Sequence, residues 1–288
     1  MKKSSFLKLI FLFLILIIGS YFMSGSKNRE VLNTFEKAYP EDNFYFIQGL
    51  DYKFDLSTNI RYRGILYSDR LEKLNYPFGL ELALESGSDG WEYLDNYEAL
   101  FLKIEVDKPI EEKMKEVFGE LSVLYNHYGV SINGYKEFLV DVGKALSFDK
   151  KGRADYTVVN VFVDRLEDID KEEMKRKTYK FAKFLYDYMN LKTYLQVYIR
   201  DNSFFEDYNL VAYQVYPPFR EREDIKKILE KIKAKEKISK DEKIALVNVF
   251  YKNIDFNTRY QKFSLYFSDE PLEKYSSSNV GIGLIIEE

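Results

Sequence analysis

The chain has 288 residues, 46% of them hydrophobic and 17% aromatic, which is enough for a substantial core and too apolar for a disordered segment. It has no cysteine and a single histidine, His127, which excludes disulfides, thiolate nucleophiles and cysteine or multi-histidine zinc sites. Lys2, Lys3 and Lys8 are the only charged side chains up to Ser26, so of 43 basic and 47 acidic residues the remainder keeps 40 against 47, a net charge of −7. A body of that sign exerts no general pull on phosphate backbones, and nucleic acid is not an expected partner.

The first stretch is unlike the rest. Leu9, Ile10, Phe11, Leu12, Phe13, Leu14, Ile15, Leu16, Ile17 and Ile18 follow one another without a polar side chain, and no charge occurs from Leu9 to Met23. An apolar run with no polar face cannot be an ordinary surface helix. Its length fits the apolar region of a signal peptide, and Phe6 to Met23 fits a short membrane span if Lys8 reaches back to the headgroups. Small residues at a cleavage site occur only at Ser24 and Ser26, with no Ala-x-Ala pattern, so an uncleaved anchor is preferred over a cleaved leader. Positive charge is in excess on the N-terminal side, which places the N-terminus in the cytoplasm and residues 27–288 outside the cytoplasmic membrane. The expected organisation is an anchor or signal peptide over 1–26 and one extracytoplasmic domain over 27–288, with a sub-boundary allowed near 217–220. Lys far outnumbers Arg, and Ile, Asn and Tyr are abundant, which points to an AT-rich bacterial genome.

Residues 27–38 read as a helix that Pro40 ends. Asn43–Gly49, Tyr52–Leu56, Ile60–Ser68 and Phe78–Leu84 read as short strands, from alternation and aromatic or β-branched enrichment. Ser86–Gly90 is a loop. Leu100–Val106 reads as a strand leading past Pro109 into a helix. That helix carries Ile110, Met114, Val117, Phe118, Leu121, Leu124, Tyr125 and Tyr128 on one face and is capped by Gly129. Val130–Phe148 fits strand or helix. Tyr156–Val163 is a second strand, Asp170–Met189 a second amphipathic helix and Tyr194–Ile199 a further strand, with Leu210–Tyr216 as its hairpin partner before Pro217 and Pro218. The strand–helix–strand pattern at Leu100–Ile132 thus echoes that at Tyr156–Ile199. Ile225, Ile228, Leu229 and Ile232 form a narrow apolar stripe. Ser239 and Glu242 form a capping-box pattern, and Tyr260–Phe267 and Val280–Ile286 close the chain as strands. Together these predict an α+β fold, with a mixed or antiparallel sheet carrying amphipathic helices mainly on one face, behind the N-terminal hydrophobic helix.

Chemistry has few places to sit. His127 reads as a helix-end residue favourable to the dipole. Asp107, Asp164 and Asp168 at strand exits are the kind of residues that collect a hard cation, but they read first as caps for helix N-termini, so no metal is expected. Asp89, Glu92 and Asp95 surround Trp91, the only tryptophan, a grouping that would suit glycoside cleavage and that reads first as a solvated loop with a hydrophobic plug. Tyr208, Tyr213 and Tyr216 are the first candidates for an exposed aromatic binding surface. Gly281-Ile-Gly283 lacks the third glycine and following helix of a phosphate loop, and no Walker pattern occurs, so no cofactor is expected. The reading that follows is a membrane-tethered bacterial protein whose outer domain binds an envelope protein or glycan without chemistry of its own. An exported carboxylate-dependent hydrolase of envelope glycans competes with it, as does a released, secreted factor.

Overall fold

The computed structural model describes residues 25–52, 60–76, 79–85, 94–127, 156–189, 194–251, 260–266 and 276–285. The fold is α+β, and the chain divides into two compact units, Met1–Tyr97 and Glu98–Glu288.

In the first unit a helix over residues 25–38 (α1) precedes a three-stranded antiparallel sheet in the order β1 (Phe44–Tyr52), β2 (Ile60–Ser68), β3 (Leu80–Glu85). The short helix α2 (Asp69–Lys73) follows β2 directly, with Ser68 Oγ capping it by accepting from the Leu71 N–H. Val31 and Phe35 of α1 are fully buried, and the Phe35 ring lies 5.2 Å from Phe44 and 6.2 Å from Tyr97. Strand β1 is irregular, with register shifts between Phe46 and Asp51. Gly64 on β2 faces that irregularity, and a Cβ there would lie 2.8 Å from the Gln48 carbonyl oxygen, so only glycine fits.

The second unit holds a five-stranded mixed sheet in the order β4 (Ser122–His127), β5 (Tyr156–Val163), β6 (Tyr194–Asp201), β7 (Tyr260–Tyr266), β8 (Gly281–Ile285). Only the β5–β6 pair is parallel, and the amphipathic helix α4 (Lys171–Met189) lies between those two strands in sequence, as a parallel connection needs. Val159, Val161, Leu195, Val197, Ile199, Phe263 and Leu265 share one buried face of the sheet. Val106, Ile110, Met114 and Val117 of α3 (Leu94–Phe118) and Phe181, Ala182 and Leu185 of α4 belong to the same core, so helices cover this face. At the Phe162 end of the opposite face, Phe162 meets Phe204, Phe205 and Phe250 at ring distances of 5.1, 4.9 and 6.4 Å. Around that cluster run α5 (Tyr208–Gln214), α6 (Glu223–Lys233) and α7 (Lys240–Val247), with the Ser239–Glu242 capping box formed.

Three expectations are corrected. Leu100–Val106 is not a strand but part of α3. Val106, Ile110, Met114 and Val117, spaced by four, four and three, extend the helical stripe backwards and are at most 6% exposed. Pro109 therefore lies inside the helix and not at its first turn. The helix ends at Phe118 because Gly119 adopts a φ of +96°, with its N–H donating to the Lys115 carbonyl at 2.8 Å. Ser122–His127 then becomes β4, so His127 stands in a strand opposite Tyr156 and not at a helix end, and the first strand–helix–strand unit does not exist. Leu210–Tyr216 is not a hairpin strand: Asp207 Oδ1 accepts from the N–H groups of Asn209 and Leu210 at 2.9 and 3.1 Å and starts α5. The antiparallel partner of β6 is β7 instead.

Candidate functional site

Two places in the second unit could receive a ligand. The first is a cleft of about 310 Å³ at the exit of β5, lined by Asp164, Arg165, Asp168, Asp170, Glu173 and Lys177 among others. It lies where a parallel strand pair opens, the usual crevice of such sheets. Its carboxylates are occupied with the backbone and with neighbours. Asp164 Oδ1 accepts from Asn202 Nδ2 at 2.6 Å. Asp170 Oδ1 accepts from the N–H groups of Glu172 and Glu173 at 2.9 and 3.0 Å, and those bonds, Glu173 first, hold its carboxyl below the usual range. Asp168 lies 3.8 Å from Arg165 Nε. Asp107 stands elsewhere, inside α3, where it is 3% exposed and pairs with Lys103. Among the described residues no three Asp, Glu or His side chains converge on a common point. The cleft is built as the capped start of α4.

The second place is the sheet face turned away from the helices. In β6 the burial alternates, and the residues between the buried Leu195, Val197 and Ile199 are the half-buried Gln196 and Tyr198. In antiparallel pairing, directly opposed residues share a face. Gln196 is opposite Ser264 and Tyr198 opposite Lys262, and on the far side of β7 these two are opposite Gly281 and Gly283. Four half-buried polar or aromatic side chains therefore stand beside two positions with no side chain on β8, the edge strand of the sheet. Tyr198 Oη donates to Gln196 Oε1 at 2.9 Å, which leaves the Gln196 Nε2 as a donor turned elsewhere. Lys262 Nζ lies 5.3 Å from the centre of the Tyr198 ring, and the Tyr260 ring meets Tyr198 edge-on at 5.0 Å. Next along the same face the buried Arg200 donates from Nε to Asn160 Oδ1 at 2.8 Å, with its guanidinium 5.3 Å from Tyr260. Among the described residues the Nδ2 of Asn160, fully buried, has no hydrogen-bond partner.

The tyrosines singled out from the sequence do not form one surface. Tyr213 is 68% exposed, Tyr216 is 2% exposed against Tyr251 at 4.9 Å, and Tyr208 is half-buried under Lys233 Nζ at 5.6 Å. Asp89, Trp91 and Glu92 lie outside the described residues, and Asp95 is placed only as backbone in the first turn of α3. The run Leu9–Ile18 also lies outside them. No described helix is long and apolar enough to cross a membrane. Sequence reasoning missed Gln196, Tyr198, Lys262 and Ser264 as a group. The signal was present: Gly281 and Gly283, two apart on a strand, must fall on the same face.

The chain matches no family model and no curated protein sequence. Among solved structures it is similar to the crystal structure of a DUF5037 family protein from Ruminococcus gnavus ATCC 29149. The two are 11% identical with a TM-score of 0.41, over 85% of this chain and 95% of that one. A likeness at that level carries no argument about activity.

Proposed function

We propose that the chain is a membrane-tethered bacterial protein whose body lies outside the cytoplasmic membrane and binds another molecule there. The tether rests on the ten apolar residues Leu9–Ile18 behind Lys2, Lys3 and Lys8. The binding role rests on one observation, the half-buried group Gln196, Tyr198, Lys262 and Ser264 beside the glycine positions of β8. Tyrosines with an apolar body and a polar tip, next to a lysine and an amide, are the side chains that binding surfaces use.

A photo-crosslinking residue in place of Ser264, in the full chain on intact cells, tests the reading. Crosslinked adducts at Ser264 and none from the same residue in place of the exposed Glu236 are expected. Equal labelling from both positions, or none from Ser264, would overturn it.

A further inference from the structure

Residues 231–240, the end of α6 and the turn into α7, hold five lysines and one acid, Glu236, in a chain that carries a net charge of −7 beyond Ser26. All five lysines are exposed. Lys231 pairs with Glu242 at 2.6 Å, and Lys233 Nζ lies 5.6 Å from the centre of the Tyr208 ring. Among the described residues no carboxylate lies within ion-pair distance of Lys235, Lys237 or Lys240. The helix α4 shows the contrasting arrangement: Lys175, Lys177, Lys180 and Lys183 each meet a carboxylate, at 2.8, 3.0, 3.1 and 2.6 Å. The α6–α7 turn is therefore a local reversal of the sign of an acidic body, and its charge is not spent on internal ion pairs.

The needs of the fold account for only part of this charge. Lys231 and Lys233 lie in the last turn of α6, where cations complement the helix dipole. Lys235 does not: it adopts a φ of +60°, donating its N–H to the Ile232 carbonyl at 3.0 Å while the Glu236 N–H donates to that of Lys231 at 2.9 Å. Glycine is the ordinary residue at such a helix end, and a side chain there costs stability. Lys240 is the first residue of α7, where the dipole disfavours a cation. Two of the three unpaired lysines thus stand where the fold gains nothing from them. The turn is also firmly held, with Ile232 and Ile238 buried and the Ser239–Glu242 capping box beyond it. Ammonium groups are point charges without the fork of arginine, and they suit a field of many phosphates better than one shaped ligand. We propose that the α6–α7 turn docks the body onto the anionic phospholipid headgroups of the membrane that carries the tether. This inference rests on the tether proposed above, which keeps that surface beside the body at high effective concentration, so that a few lysines suffice. Contact stays in the hydrated headgroup layer, where Lys237 remains open to water-borne reagents and Glu236 gains no partner to crosslink.

The test uses the full chain with the exposed Ala234 replaced by its only cysteine, A234C, carrying a fluorescent label. It is reconstituted in vesicles of phosphatidylcholine, alone or mixed equally with phosphatidylglycerol. Lipids with a nitroxide headgroup quench the label when the turn is docked. Strong quenching in the mixed vesicles, little in the neutral ones and reversal by salt are expected. Each lysine removed should lower the ratio of docked to undocked body about fivefold, so K235Q/K237Q should lower it about 25-fold. K235G should lower it about fivefold and raise the thermal unfolding midpoint, because glycine relieves the φ of +60°; a merely structural role for Lys235 does not give both. Equal quenching in the two kinds of vesicle, or quenching unchanged in K235Q/K237Q, would overturn the inference. Soluble polyphosphate that raises the anisotropy of the label, where anionic lipid leaves it unquenched, would overturn a lipid surface as the partner. Flotation reads the tether by itself: a chain that does not float with neutral vesicles, yet is quenched by added anionic ones, has lost the tether and kept the docking face.

Discussion

Substituting Tyr97 by phenylalanine removes one oxygen from a buried polar cluster of the first unit. Tyr97 is 2% exposed and its hydroxyl donates to Asp42 Oδ2, while Ser68 Oγ lies 2.9 Å from the same hydroxyl. Asp42, 8% exposed, spends its other oxygen on the N–H groups of Asn43 and Arg70 at 3.0 and 3.2 Å. One bond to a carboxylate and one to a neutral hydroxyl are lost, and both partners stay buried. The first is worth about 1.5–3 kcal/mol and the second about 0.5–1.5 kcal/mol, so Y97F should cost about 2–4.5 kcal/mol. The ring itself is retained, so the contacts with Phe35, Tyr39 and Phe44 remain. Native-state hydrogen exchange of peptides covering β2 measures the loss directly. The hydroxyl adds a dependence on pH. Burial first, then the bond to Asp42, push its ionisation well above the ordinary tyrosine range. The folded state therefore holds this proton longer than the unfolded chain. Its stabilisation is complete below about pH 10 and lost as pH rises beyond it. Y97F should weaken that alkaline loss, leaving the share of Tyr45, whose hydroxyl burial and Glu72 raise in the same direction. A Y97F chain within about 0.5 kcal/mol of the natural one would refute the reasoning, since that is the scatter of surface substitutions.

Gly119→Ala forces a side chain onto a φ of +96° and should destabilise the second unit by about 1 kcal/mol in urea unfolding, although the space around it is open. Ser239→Ala removes the acceptor for the Glu242 N–H at 3.2 Å and should cost about 0.5–2 kcal/mol, read from exchange of the α7 amides. Phe263→Ala opens a cavity at a fully buried site in the middle of the five-stranded sheet and should cost about 3–5 kcal/mol by thermal melting. Asp170, whose carboxyl the Glu173 and Glu172 N–H groups hold low, stabilises α4 above the ordinary carboxylate range near pH 4 and loses that contribution as pH falls; circular dichroism on acidification should show a smaller change in D170N.

Local signals with a single physical meaning were legible in the sequence. The alternating β-branched strand Tyr156–Val163, the amphipathic helix ending at Met189 and the Ser239–Glu242 capping box all stand where their residues place them. The α+β class followed from these. Ambiguity entered where an apolar run satisfied two periods at once. Leu100–Val106 alternates like a strand, yet Val106 also continues the three–four spacing of Ile110, Met114 and Val117, and packing against the sheet decides for the helix. The sequence pointed to Gly129 as the end of this helix, whereas a positive φ at Gly119 ends it ten residues earlier. The candidate site was hidden for a different reason. Gln196, Tyr198, Lys262 and Ser264 are ordinary strand residues, brought together by the register of β6 on β7 across more than sixty positions of sequence. The Gly281–Gly283 spacing marks one face of β8, but no local spacing says which strand residues stand beside it.

The central claim is that this body works outside the cytoplasmic membrane, and the absence of cysteine makes it directly testable. A single cysteine in place of the exposed Lys237, in the full chain on intact cells, is treated with a membrane-impermeant maleimide before and after lysis. The account predicts full labelling on intact cells with no gain on lysis. Labelling that appears only after lysis would put the body in the cytoplasm and contradict the account.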